Sequence, residues 1–295
     1  MAGGGHHIRW QAGTGSGQGE ARPVSGPLDQ DSWVDRKRQL LLENGRLAFM
    51  EQAGAEPAVV LVHGFTDTSR SFSLLMPHLA GHRLVIPDLR NHGSSFGAEP
   101  DGLGCFASDL IALAKAKNLH RPVLVGHSLG AMVAIEACAA APGLFGALVL
   151  IGCSLRPRIG NEHPVTTGLQ ALRDPIHPAD PFFDYWHHCR EDVPRAFLEK
   201  IALEASGMPA ARWRSVLDLI RHVDLTTRVH ERGSIETVLI NGVEDMLFGS
   251  VDRALLVSAL PDATAIDLPR TGHNPHWEEP ALVAAVIRNC AAAAQ

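Results

Sequence analysis

Ser128 stands between two glycines in Gly126-His127-Ser128-Leu129-Gly130. A serine hydroxyl is a poor nucleophile until a nearby imidazole takes its proton, and that imidazole needs a carboxylate to fix its tautomer and stabilise its charged form. Both partners occur farther along the chain, Asp245 in Asn241-Gly242-Val243-Glu244-Asp245 and His273 in Thr271-Gly272-His273-Asn274-Pro275-His276. The Gly-x-x-Asp spacing favours Asp245 over its neighbour Glu244, and His276 suits a packing or rim role better than proton transfer. Earlier, Leu61-Val62-His63-Gly64-Phe65 ends an apolar run, and a loop there can aim the Phe65 amide at the same point as the amide of Leu129. Two such donors would hold the negative oxygen of a tetrahedral intermediate. His63 then reads as a buried histidine that anchors its loop.

Such residues work only if the chain presents them on loops along one edge of a scaffold. Eight short apolar runs, 38–42, 47–51, 59–63, 84–87, 123–126, 147–151, 238–241 and 263–267, have strand character. The first two flank Asn44-Gly45, a hairpin turn signal, and the later ones are separated by helical patterns of the kind that parallel crossovers require. The junction at Ser128 is the sharpest of them. Val123, Leu124 and Val125 suit a buried strand, Ala131, Met132, Ala134 and Ile135 suit a helix, and the serine falls between, with glycines where side chains would collide. A helix is expected from 280 to 294. Between 155 and 227 the rhythm breaks: seven prolines and helical patches such as Trp213, Val216, Leu217 and Ile220 predict an inserted helical cap. The core is then expected over 35–154 and 228–295, preceded by a flexible Gly- and Ser-rich tail over 1–34.

Composition narrows the function classes. A formal charge of −6 with no basic run argues against docking on nucleic acid or anionic lipid, and no stretch reaches the ~18 continuous apolar residues of a membrane span. Five widely spaced cysteines fit reduced thiols, and with no secretory apolar segment they predict a cytoplasmic protein, monomeric or homodimeric, acting on a small molecule. No cofactor or metal is expected. His6 and His7 lie in the tail, and the adjacent His187, His188 and Cys189 lack the spacing of a zinc site.

The Ser128, Asp245, His273 order and Pro87-Asp88-Leu89-Arg90-Asn91-His92-Gly93-Ser94-Ser95 together resemble the α/β-hydrolase superfamily across residues 37–294. Most members have glycine where this chain has Asn91, and the Arg-Asn-His-Gly version is similar to that of a group of small esterases. The resemblance implies an α/β fold with an eight-stranded, mostly parallel sheet flanked by helices, the triad lying on loops at the strand ends under the cap. Ser128 stands where haloalkane dehalogenases and epoxide hydrolases carry aspartate, which argues against both.

Hydrolysis of a carboxylic ester or lactone is the leading expectation. Carbon–carbon bond hydrolysis of a ketone, perhydrolase activity, and a ligand-binding protein that keeps the fold as a receptor are the alternatives. Substrate choice is expected in the cap. There Phe182, Phe183, Tyr185 and Trp186 crowd four aromatics together, as a pocket wall or as the cap's own small core. Arg156 and Arg158 at the cap boundary read as solvated.

Overall fold

The computed structural model describes residues 30–43 and 45–294. His6, His7 and most of the expected tail lie outside them. Packing begins inside the stretch read as tail: Trp33 is fully buried and its indole N–H donates to Ser69 Oγ at 3.2 Å. Asn44 also lies outside, but the strands on either side of it pair as a hairpin.

The strands are β1 (Arg38–Leu42), β2 (Gly45–Gln52), β3 (Ala55–Val62), β4 (His82–Pro87), β5 (Phe96–Gly97), β6 (Val123–His127), β7 (Ala147–Ile151), β8 (Glu236–Gly242) and β9 (Thr264–Leu268). They form one sheet of order β1-β2-β4-β3-β6-β7-β8-β9, with two-residue β5 beside β2. All eight expected strands are present within a few residues. The ninth, β5, is too short to leave a periodic signal. Pairing is antiparallel at the β1–β2–β4 edge and parallel from β4 through β9.

Central strands read as continuous apolar runs because both faces are covered. Every residue of β6 and β7 is buried. Alternate side chains point to opposite layers, so Leu124, Leu148 and Leu150 join one core while Val123, Val125, Val149 and Ile151 join the other. The first core packs under α1 (Leu103–Ala116) and α2 (Leu129–Ala140), the second under the C-terminal helix Pro280–Ala293. Between β7 and β8 the described elements are helical: α3 (Pro164–Ala171), α4 (Phe182–Trp186), α5 (Arg195–Ser206), α6 (Ala210–Arg221) and a short 3-10 turn. Pro164 sits in the first turn of α3, and Pro194 and Pro209 directly precede α5 and α6, where a missing N–H costs nothing. No helix among the described residues is long and apolar enough to cross a membrane. All five cysteines are unpaired.

Candidate active site

The turn from β6 into α2 holds Ser128 at φ 52° and ψ −116°, a left-handed conformation that costs a residue with a side chain roughly 1–3 kcal/mol. The two glycines make the turn possible. A Cβ on Gly126 would lie 2.3 Å from the carbonyl oxygen of Gly130, and one on Gly130 would lie 2.2 Å from that of Val62. The serine amide is tied to the Ile151 carbonyl at 2.9 Å, so the strain is held by β7.

Asp245 and His273 come from the loops after β8 and β9. His273 Nδ1 donates to Asp245 Oδ2 at 2.7 Å. The other carboxylate oxygen accepts from the amides of Leu247 and Phe248 at 2.8 and 3.0 Å. Burial alone would raise the Asp245 carboxyl, but the His273 ring and these amides bring it below its ordinary value, so it stays ionised against the imidazole. Glu244 points to solvent. Ser128, His273 and Phe65 line one small cavity, and Gly64 approaches so closely that a Cβ there would sit 3.3 Å from that of Ser128. The amides of Phe65 and Leu129 donate to no partner among the described residues. Leu129 follows the serine directly and Phe65 lines its cavity.

His63 takes an anchoring position. Its Nδ1 donates to the Gly64 carbonyl at 2.7 Å and its Nε2 accepts from the Leu89 amide at 2.8 Å, while burial pushes the ring down to about 3, so it is neutral. Asn91 stands at φ 62°, which asparagine tolerates better than most residues, and its side-chain oxygen accepts from the Gly97 amide. That conformation explains how this chain dispenses with the glycine usual there.

Sequence reasoning missed a second polar cluster on the same cavity. Asp67, two residues past Phe65, is buried and accepts from Ser71 Oγ at 2.9 Å, and Ser71 also bonds His276 Nε2 at 2.9 Å. The His276 ring lies against that of His127, centroids 4.3 Å apart, and His127 Nε2 donates to the His273 carbonyl at 2.9 Å. Burial raises Asp67 to about 7, partly opposed by Ser71 and by His273. Asp67, His127 and His276 each offer a ligand atom, all within 4.8 Å of one another. Ser71 bridges the carboxylate and His276 by hydrogen bonds, while His127 meets His276 ring to ring and its Nδ1 is buried without a partner among the described residues. A carboxylate in a polar Thr-Asp-Thr loop carries no signal in sequence; the loop must first be seen folded beside His276.

The aromatic quartet divides. Phe182 and Phe183 pack on the fully buried Trp213, at 6.0 and 5.9 Å between centroids, and Phe183 and Trp213 join the same core as Leu124 and Leu148 rather than a separate small one. Trp186 lines the Ser128 cavity and its indole N–H donates to Thr66 Oγ1 at 2.8 Å. Tyr185 faces a shallow recess beside His273. Arg156 and Arg158 are exposed, Arg156 paired with Asp224 at 3.5 Å.

The sequence pattern of the Alpha/beta hydrolase family matches residues 59–286, and the chain belongs to that family. It is 34% identical over 247 residues to Lipase LipV of Mycobacterium tuberculosis, covering 79% of this chain and 93% of that protein. It is 38% identical over 167 residues to the Pimeloyl-[acyl-carrier protein] methyl ester esterase of Methylococcus capsulatus, covering 56% of this chain and 59% of that protein. Among solved structures, the enol-lactonase from Burkholderia xenovorans superposes with a TM-score of 0.74 at 16% identity, over 86% of this chain and 99% of that one, a likeness of fold. The chain is a hydrolase of this family.

Proposed function

We propose that the protein cleaves a carboxylic ester or lactone through an acyl-enzyme on Ser128. The observation that carries this reading is the 2.7 Å His273–Asp245 hydrogen bond on the wall of the cavity that Ser128 enters from its strained turn. Esterase and lipase relatives support it.

His273 takes the hydroxyl proton as Ser128 Oγ bonds to the substrate carbonyl carbon, and the ionised Asp245 stabilises the imidazolium that forms. The amides of Phe65 and Leu129 hold the oxyanion. When the tetrahedral intermediate collapses, the carbon–oxygen bond to the alcohol breaks and His273 gives that oxygen its proton. A water, deprotonated by His273, then adds to the acyl carbon, and release of Ser128 yields the acid. Each step uses a side chain or amide of this chain.

Ser128→Ala should lower kcat on a short aryl ester by ~10⁴-fold or more, leaving only the background that donors and binding provide. Retention of wild-type turnover in that variant would refute the assignment. Covalent labelling of Ser128 by a fluorophosphonate without turnover of any ester would instead favour a receptor.

A further inference from the structure

The cavity beside Ser128 has a volume of about 20 Å³. At the ~10–15 Å³ that a water needs, that is room for one or two waters and too little for a substrate. The recess on the Tyr185 side, about 30 Å³, is scarcely larger. Against the opposite face of α4 lies a groove of about 950 Å³. His187, just past the end of α4, is the one described residue that lines both the groove and the Ser128 cavity.

We propose that His187 is a door, and that the groove behind it takes the aliphatic acyl chain of the substrate. The inference rests on the ester-cleavage reading of Ser128. His187 is held in place by rings: it stacks on Phe183 at 5.2 Å and meets the edge of Trp277 at 5.9 Å. Its Nε2 is buried with no hydrogen-bond partner. An unmet buried donor or acceptor is costly, so a rotation that brings Nε2 to water or to a substrate oxygen recovers part of what leaving the stack loses. His187 caps α4, its amide donating to the Phe183 carbonyl at 2.9 Å, so the door turns by side-chain rotation about a fixed backbone.

The groove's chemistry selects the occupant. Phe183, Val193, Leu198 and Ala202 supply apolar wall, and among its charged lining the carboxylates Asp180, Asp184, Glu191 and Glu199 outnumber Arg190 and Arg195, with Arg195 paired to Glu199. A neutral hydrocarbon chain suits such a lining better than an anionic one. The direction follows from His273, which lines the Tyr185 recess and has no part in the groove. The alcohol that receives its proton leaves on the His273 side, and the acyl group extends past His187.

The test compares 4-nitrophenyl acetate with 4-nitrophenyl octanoate in the wild type, Leu198→Trp and His187→Ala, with Ser128 titrated by fluorophosphonate to count folded sites. The readout is the octanoate-to-acetate ratio of kcat/KM. Leu198→Trp fills the groove and should lower the ratio about tenfold, the scale of one or two apolar groups denied a pocket. His187→Ala removes the door and should raise it. A ratio that stays within about twofold of wild type in both variants overturns the proposal, as does a wild type that turns over acetate but not octanoate. A wild type inactive on both esters overturns the ester reading itself.

Discussion

The two sides of the Ser128 cavity are built differently. On the sheet side, position is set by backbone: a strained turn held by β7, a carboxylate taken by two amides, and a histidine fixed by that carboxylate. On the cap side, position is set by ring packing among Phe65, Phe182, Phe183, Trp186 and Trp213, with one indole hydrogen bond to Thr66. Backbone-held groups tolerate little displacement and suit chemistry, which loses rate steeply with misplacement. Ring-packed walls can repack, which suits the choice of substrate. The contrast predicts that variants on the sheet side lose rate without losing the fold, and that variants on the cap side lose stability or change preference.

Asp245→Asn tests the sheet side. It keeps the shape and removes the charge, leaving His273 in the wrong tautomer with its imidazolium uncompensated. A fall in kcat of ~10⁴-fold is expected, with thermal stability changed far less. An active variant, or one that unfolds before it loses rate, would erase the contrast.

Trp213→Ala tests the cap side. Trp213 is fully buried and touches Phe65, Phe182, Phe183 and Trp186. Truncating such a ring costs ~3–5 kcal/mol, read as a lower melting temperature, while fluorophosphonate still labels Ser128 in the folded fraction. Loss of labelling in protein shown to be folded would mean that the cap holds the chemistry as well as the substrate.

The same division decides what the sequence could show. Central parallel strands announce themselves because burial on both faces leaves continuous runs such as Val123-Leu124-Val125 and Ala147-Leu148-Val149-Leu150-Ile151. Ser128 directly follows such a strand, whereas Asp245 and His273 lie on loops a few residues past β8 and the largely exposed β9, where motif spacing gave the signal. β5 and the packing of Trp33 depend on partners distant in sequence, and so do Asp67 beside His276 and His187 between two cavities. Nothing local marks them. Phe182 and Phe183 show the limit within one motif: composition placed an aromatic cluster between β7 and β8, but only the folded chain shows that all of Phe182, Phe183 and Trp186 pack on Trp213 while Trp186 alone of them reaches the Ser128 cavity.

Asp67 belongs to neither side cleanly, being a side chain on a sheet-side loop, held through Ser71 and His276 with no backbone amide among the described residues on its carboxylate. Burial raises its carboxyl from an ordinary 3.8 to about 7, so the folded state favours the protonated form. The sign follows from linkage: between those two values the native protein binds more protons than the unfolded chain, and stability falls as pH rises. What protonation contributes is complete below about pH 3.8 and is lost as pH climbs through about 7. Asp67→Asn removes that dependence. Melting temperatures of wild type and variant should therefore diverge from about pH 4 upward, with the variant gaining, and run parallel above about pH 7. A difference that is constant across the range would mean that Asp67 ionises in the fold as it does in water.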